Sequence, residues 1–212
     1  MGPEIEAQVR AIQAAFADRP AGLVRHVERV VDEAVDLAGY WDVDPERVRL
    51  AAWGHDLFRA LSLADQLSLA REAGVPVGPE EEAEPVLLHG PTAAVVLRQR
   101  FGVMDDEALS AIRDHTLGAP EMPLIAKVIL IADKVEERKR RRTPIMREVR
   151  RLARRDLDLA LLCWADWKWV EERAHGWDSH PRHWASRQAW VREHHNETGL
   201  PARVAEGLFE TE

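Results

Sequence analysis

Apolar residues recur along this chain at intervals of three and four, and no stretch sustains an alternation of two, so the pattern predicts helices and no strands. Leu23, Val24, Val27, Val30, Val31 and Val35 mark an amphipathic helix over 22–39 that closes at Gly39. Asp44-Pro45-Glu46 opens the next helix. Asp is an acceptor for the free N–H groups, Pro sits in the first turn where no N–H is needed, and Glu lies near the positive end of the dipole. That helix runs into His55-Asp56. Ser62, with Asp65 three residues on, resembles a capping box, and Gly74 ends the segment. Residues 78–84 read as an acidic, Pro-bearing loop, 85–101 as helix broken at Gly90-Pro91, and 105–117 as helix stopping at Gly118. Pro123 opens a strongly apolar helix with Ile125, Val128, Ile129, Ile131 and Ala132, and further helices are expected over 156–174 and 181–195. The fold class is all-α.

A chain of 212 residues suits one domain. The expected division is an N-terminal extension at 1–21, a core at 22–174 and a Trp-rich helical C-terminal layer with a tail at 175–212. Six of the eight tryptophans fall from Trp164 onward. They read first as large apolar anchors packing that layer on the core, and second as a stacking platform for adenine.

Several polar residues interrupt this pattern where burial is expected. His55-Asp56 follows the apolar run Leu50-Ala51-Ala52-Trp53, and Asp133 follows Ile129-Leu130-Ile131-Ala132. An ionised carboxylate is costly to bury unless it is paired or holds a metal. His26, His89 and His115 each stand at the edge of another apolar segment. Singly, His26 reads as a hydrogen-bonded histidine on a half-buried face, His89 as a helix-entry residue and His115 as a cation at a helix C-terminus. Together, four histidines and two aspartates without sulfur suit Fe, Mn, Co, Ni or Zn. Six ligands exceed what one catalytic ion with open positions takes, but they serve two ions sharing a carboxylate. Two ions roughly 3.5–4 Å apart can generate a bridging hydroxide for phosphoryl displacement. Asp56 is the natural bridge, with His26, His55 and Asp133 completing one ion and His89 and His115 the other. His175, His180, His183, His194 and His195 fit no ligand spacing and read as surface or structural.

Composition narrows the setting. Apolar content is 46% and charged content 31%, as in a globular chain. No apolar run approaches the ~20 residues of a membrane span, and the acidic N-terminus lacks a signal core. Cys163 is the only cysteine, which excludes an internal disulfide and a thiolate zinc site. A cytoplasmic setting is expected. Net charge is −8, yet Lys134–Arg155 holds eleven Lys or Arg against three Glu. That stretch reads as a solvated basic face pairing with acidic neighbours, ahead of an RNA- or ribosome-binding segment.

The ordered set His26, His55-Asp56, His89, His115, Asp133 in a helical chain resembles the HD-domain phosphohydrolase superfamily. Leu88-His89-Gly90-Pro91, Asp114-His115-Thr116-Leu117-Gly118 and Ile131-Ala132-Asp133-Lys134-Val135-Glu136 narrow the likeness to its YqeK family, over about residues 22–190. The resemblance implies an HD-domain helical bundle with additional C-terminal helices. It also implies symmetrical cleavage of diadenosine tetraphosphate to two ADP, and a di-iron centre on those six residues. The chain departs from the family where Arg59 replaces a Lys, and where Glu137-Arg138-Lys139-Arg140 replaces Pro-Gly-Arg. Arg59 still offers a planar fork to phosphate. The expected catalytic residues are His55, Asp56 and Arg59; the expected substrate contacts are Arg59, Gly90, Thr116, Lys134, Arg138 and Lys139. A dinucleoside polyphosphate is the expected partner, with a nucleoside mono- or triphosphate as the alternative substrate. No membrane partner is expected, and association as a homodimer is left open.

Overall fold

A computed structural model describes residues 2–198, and among them the chain forms twelve α-helices and one 3₁₀ turn. The side chains of His194 and His195, and the expected tail from 199 on, lie outside the described residues. The helices are α1 (Pro3–Ala14), α2 (Ala21–Trp41), α3 (Pro45–Gly54), α4 (Leu63–Glu72), α5 (Pro79–Ala83), α6 (His89–Phe101), α7 (Asp106–Asp114), α8 (Leu124–Val135), α9 (Glu137–Arg142), α10 (Ile145–Ala153), α11 (Leu157–His175) and α12 (Pro181–Thr198). The 3₁₀ turn Pro85–Leu88 precedes α6.

The apolar helix α8 lies at the centre. It packs against α2, α3, α7, α10 and α11, and Val128 through Ala132 are all fully buried. The helix is apolar on every side because every side meets another helix. α2 instead buries one stripe, Val27, Val30, Val31, Ala34, Leu37 and Ala38, at the three- and four-residue spacing of a single face. Val9, Ile12 and Phe16, from and just after α1, join the same core. α4 and the 3₁₀ turn form a smaller cluster around Ala70, Val75 and Leu88.

The local signals act as read at most helix starts. Asp44 accepts the Glu46 N–H at 2.8 Å, Ser62 accepts the Asp65 N–H at 3.1 Å, and Asp156 accepts the Leu159 N–H at 2.8 Å. At Ser62 the return bond runs from its hydroxyl to the Asp65 carboxylate at 2.6 Å, rather than from its backbone N–H. Three expectations are corrected. α2 does not close at Gly39 but continues to Trp41, with Asp42 turning left-handed at φ 52°. Trp41 holds that extra turn, donating its indole N–H to the Ala153 carbonyl at 2.7 Å. The acidic stretch 78–84 is not a loop throughout: Pro79–Ala83 forms α5, begun by the Gly78 N–H donating to Glu81 at 3.0 Å. The break expected at Gly90-Pro91 falls earlier, where the 3₁₀ turn meets His89. Pro91 is thereby in the first turn of α6, where its missing N–H costs nothing.

The basic stretch folds back onto acids of α2. Buried Glu33 accepts from Arg140 and from Arg150, each at 2.5 Å, while Asp36 accepts from Arg150 at 3.0 Å and Arg154 at 2.7 Å. No described helix is long and apolar enough to cross a membrane.

Candidate metal centre

All six expected ligands converge on one place. His55 and Asp56 lie just beyond the C-terminus of α3, His26 on α2, His89 at the start of α6, His115 just past α7 and Asp133 near the end of α8. All except half-buried His26 are buried. The two Asp56 oxygens face different neighbours. Oδ1 is 3.1 Å from His89 Nε2 and 3.6 Å from His115 Nε2, whereas Oδ2 is 3.5 Å from His26 Nε2 and 3.6 Å from His55 Nε2. Two triples result, His26–His55–Asp56 and Asp56–His89–His115, with the donor atoms of each within 4.8 Å of one another. Asp133 stands beside the first, its Oδ1 3.1 Å from His26 Nε2.

Three of the histidines are oriented by their own helices. His55 Nδ1 lies 2.6 Å from the Ala52 carbonyl, His115 Nδ1 lies 2.7 Å from that of Ile112, and His89 Nδ1 meets that of Val86. In each case the carbonyl is three residues back. These acceptors place the proton on Nδ1 and leave Nε2 as the donor atom facing the centre. His26 differs: its Nδ1 is 3.6 Å from a carboxylate oxygen of Glu136, itself held by Arg29 at 2.5 Å. Glu136 is the residue that sequence reasoning missed, although it stood three positions after Asp133 in a stretch already singled out.

The donor set fits a cation. His55 is fully buried and its Nε2 has no hydrogen-bond partner, a condition that costs about 1–3 kcal/mol unless something satisfies it. His89 Nε2 and His115 Nε2 approach to 3.0 Å. With both Nδ1 protons given to carbonyls, two lone pairs face each other, and only a shared proton or a metal ion makes that attractive. Electrostatics agree. Burial works against charge on Asp56, but His55, His115 and His89 hold its carboxyl well below the usual range. Burial does the same to Asp133, and Lys134 and Lys139 keep it ionised at 2.7 Å and 2.6 Å.

The centre opens into a cavity of about 470 Å³ whose walls include Arg59, Thr116, Lys134 and Lys139. Thr116 Oγ1 is 3.1 Å from His115 Nε2, and Lys134 Nζ rests 5.3 Å over the Trp164 ring. Two expected substrate contacts do not line this cavity. Arg138 is exposed, and only its backbone N–H is engaged, with Glu136 at 2.9 Å. Gly90 is buried, and a Cβ there would lie 2.9 Å from the Ile112 carbonyl and 3.1 Å from the His115 ring. Its lack of a side chain lets α6 bring His89 against His115.

A family model for the HD domain matches residues 23–138, more than half of the chain. The chain belongs to the HD-domain family. The matched residues contain all six clustered side chains, and α10, α11 and α12 lie beyond them. Among relatives of this HD protein, the symmetrical bis(5'-nucleosyl)-tetraphosphatase of Bacillus subtilis is 34% identical over 137 residues, which is 65% of this chain and 72% of the relative. The same-named protein of Halalkalibacterium halodurans is 33% identical over 142 residues, 65% of this chain and 72% of its own. A crystal structure of an HD-superfamily hydrolase from Clostridium acetobutylicum, described as involved in NAD metabolism, superposes with a TM-score of 0.80 at 28% identity. That superposition covers 87% of this chain and 96% of the other, so it includes helices beyond the HD match.

Proton linkage gives a first test of the ligand set. Burial opposes charge on His26, yet hydrogen bonds to Asp133 and Glu136 raise it to about 9. Burial pushes His55 down to about 4 and lowers His115 as well. Without metal, His26 is therefore an imidazolium at neutral pH and His55 and His115 are neutral. For the metal-free protein, the stability His26 contributes is complete below its unfolded pKa of about 6.5 and is lost as pH rises through about 9. A metal needs the neutral ring, so binding at pH 7 releases about one proton, and affinity weakens as pH falls below about 9. Calorimetric titration with Mn²⁺ in buffers of different ionisation heat measures that proton. A buffer-independent heat would remove His26 from the ligands.

Proposed function

We propose that this HD protein cleaves dinucleoside tetraphosphates symmetrically, releasing two ADP from diadenosine tetraphosphate. The observation that carries the reading is the shared carboxylate: Asp56 offers one oxygen to each of two ligand triples. The names of the Bacillus and Halalkalibacterium relatives supply the substrate class.

The residues divide the work. His26, His55, Asp56 and Asp133 would hold one ion, and Asp56, His89 and His115 the second, with iron first among Fe, Mn, Co, Ni and Zn. When bound, such a pair supplies an ionised water at neutral pH and Lewis acidity toward phosphoryl oxygens. The chain's own cations do the rest. Arg59 is an exposed residue lining the cavity, and its planar fork suits two phosphate oxygens at once. Lys134 and Lys139 stand as point charges beside Asp133 in the same cavity, where they would offset charge on the transferring phosphoryl group. Thr116 offers a hydroxyl in the same cavity, beside His115. The Nδ1–carbonyl bonds keep the rings from rotating as substrate enters.

Product analysis tests the proposal. The Fe²⁺-loaded protein incubated with diadenosine tetraphosphate is expected to give ADP alone on anion-exchange HPLC. ATP with AMP would show asymmetric cleavage, and an unchanged substrate would remove the activity.

A further inference from the structure

The clustered histidines are not all oriented in the same way. Carbonyls three residues back face Nδ1 of His55, His89 and His115. Among the described residues no carbonyl accepts from His26 Nδ1, and what faces it is Glu136 Oε1 at 3.6 Å. Glu136 is in neither ligand triple, yet it is only 1% exposed. A carboxylate so buried is costly unless its charge is paired.

Its two oxygens are used differently. Oε2 accepts from Arg29 Nε at 2.5 Å and from the Arg138 N–H at 2.9 Å, the second bond capping α9. Oε1 takes no such bond among the described residues and is left to His26. Capping α9 and pairing Arg29 therefore account for one oxygen and not for the other.

A polar seam along α2 brings the carboxylate there. His26, Arg29, Glu33 and Asp36 follow one another at spacings of three, four and three, so they share a face of the helix. Arg29 holds Glu136, Glu33 holds Arg140 and Arg150, and Asp36 holds Arg150 and Arg154. The seam ties the chain after Asp133 onto α2, and its inner end sets Glu136 against His26. The carboxylate is thus placed by contacts that do not involve His26. Its negative charge favours a proton on Nδ1, which fixes the tautomer, leaves the lone pair on Nε2 and makes that atom a stronger donor. Nε2 is the atom that faces Asp56 and Asp133.

We propose that Glu136 is a positioning residue for the metal centre, orienting His26 and strengthening its Nε2 as a ligand. The inference rests on the ligand assignment proposed above.

Co²⁺ reads the rings without any turnover. When it fills the centre, each ligand histidine whose Nδ1–H is held by an acceptor gives one exchangeable, hyperfine-shifted proton resonance. The Co²⁺-loaded full chain is expected to give four in water. Glu136→Gln keeps an oxygen for Arg29 and the Arg138 N–H but removes the charge beside Nδ1, and it is expected to give three. Calorimetric titration with Co²⁺, corrected for the protons released, is expected to show one binding step weakened about ten- to hundredfold. Glu136→Asp keeps the charge and a capping carboxylate but draws back by one methylene, and it should lose the same resonance. Glu33→Gln alters the seam away from the centre; it should lower Tm and keep all four. Four resonances with both affinities unchanged in Glu136→Gln would overturn the inference. So would three in the wild type, or the same loss in Glu33→Gln. The two readings separate. One resonance lost in Glu136→Gln, in a protein that cleaves no tetraphosphate, keeps the positioning role and removes the substrate. Symmetrical cleavage in a wild type whose four resonances all survive Glu136→Gln does the reverse.

Discussion

Replacing Asp56 by Asn is expected to lower cleavage of diadenosine tetraphosphate by at least about a thousandfold, a barrier increase of about 4 kcal/mol, while the chain stays folded. The substitution keeps the shape and removes the charge. It also exchanges one of two oxygens for an amide nitrogen that cannot bind a cation. Because Oδ1 faces His89 and His115 and Oδ2 faces His26 and His55, either placement of the amide disables one triple and weakens the other. Elemental analysis of the purified variant should therefore show a deficit at both sites, not a loss of one ion with the second retained. His26→Ala is the contrast: it belongs to one triple only and should lower occupancy of that site first. An Asp56→Asn protein with full metal content and an undiminished rate would end the two-site reading.

The second large effect is expected at a residue outside the clustered six. Trp190→Ala should cost about 3–5 kcal/mol, lowering Tm by roughly 6–20 °C for a chain of this size. Trp190 is buried, donates its indole N–H to the Ala119 carbonyl at 3.0 Å and lies flush against Gly118. Gly118 is left-handed at φ 73°, and a Cβ there would meet the indole at 2.5 Å, so only glycine lets α12 seat this ring. The same turn is held by Arg182 on Asp114 at 3.1 Å and by His183 on Leu117. Losing the indole loosens the turn that carries His115, and metal affinity should fall along with Tm. A change of under about 2 °C in thermal unfolding would show that α12 contributes little to holding that turn.

Most helices were legible because burial leaves a periodic trace: the stripe of α2 and the wholly apolar α8 can be read without coordinates. Caps were legible for the same local reason. What escaped was decided by contacts distant in sequence. Gly39 has the composition of a stop, but Trp41 finds a carbonyl on α10 and the helix continues. α5 is five residues long, too short for a period to show, though Pro79 and the three glutamates after it were start signals. The six clustered side chains were legible because histidines and aspartates at the ends of apolar helices are hard to explain singly. Their orienting partners were not: three are backbone carbonyls, which no sequence displays, and the fourth is Glu136, hidden among ordinary charges. Gly90 was expected at the substrate, and the structure instead explains it by the close approach of α6 to α7.

The orienting bonds divide the centre into a fixed and an adjustable half. Ala52, Val86 and Ile112 hold His55, His89 and His115 through carbonyl oxygens, and no exchange of a side chain deletes a carbonyl. The settings of those three rings are thus insulated from most point changes in the gene. Among the histidines, His26 alone leans on a side chain, Glu136, which a single codon change can neutralise or remove. Among the four rings, sequence variation can therefore reset the orientation of one through a single side chain, and that ring lies on the α2 side of the Asp56 carboxylate.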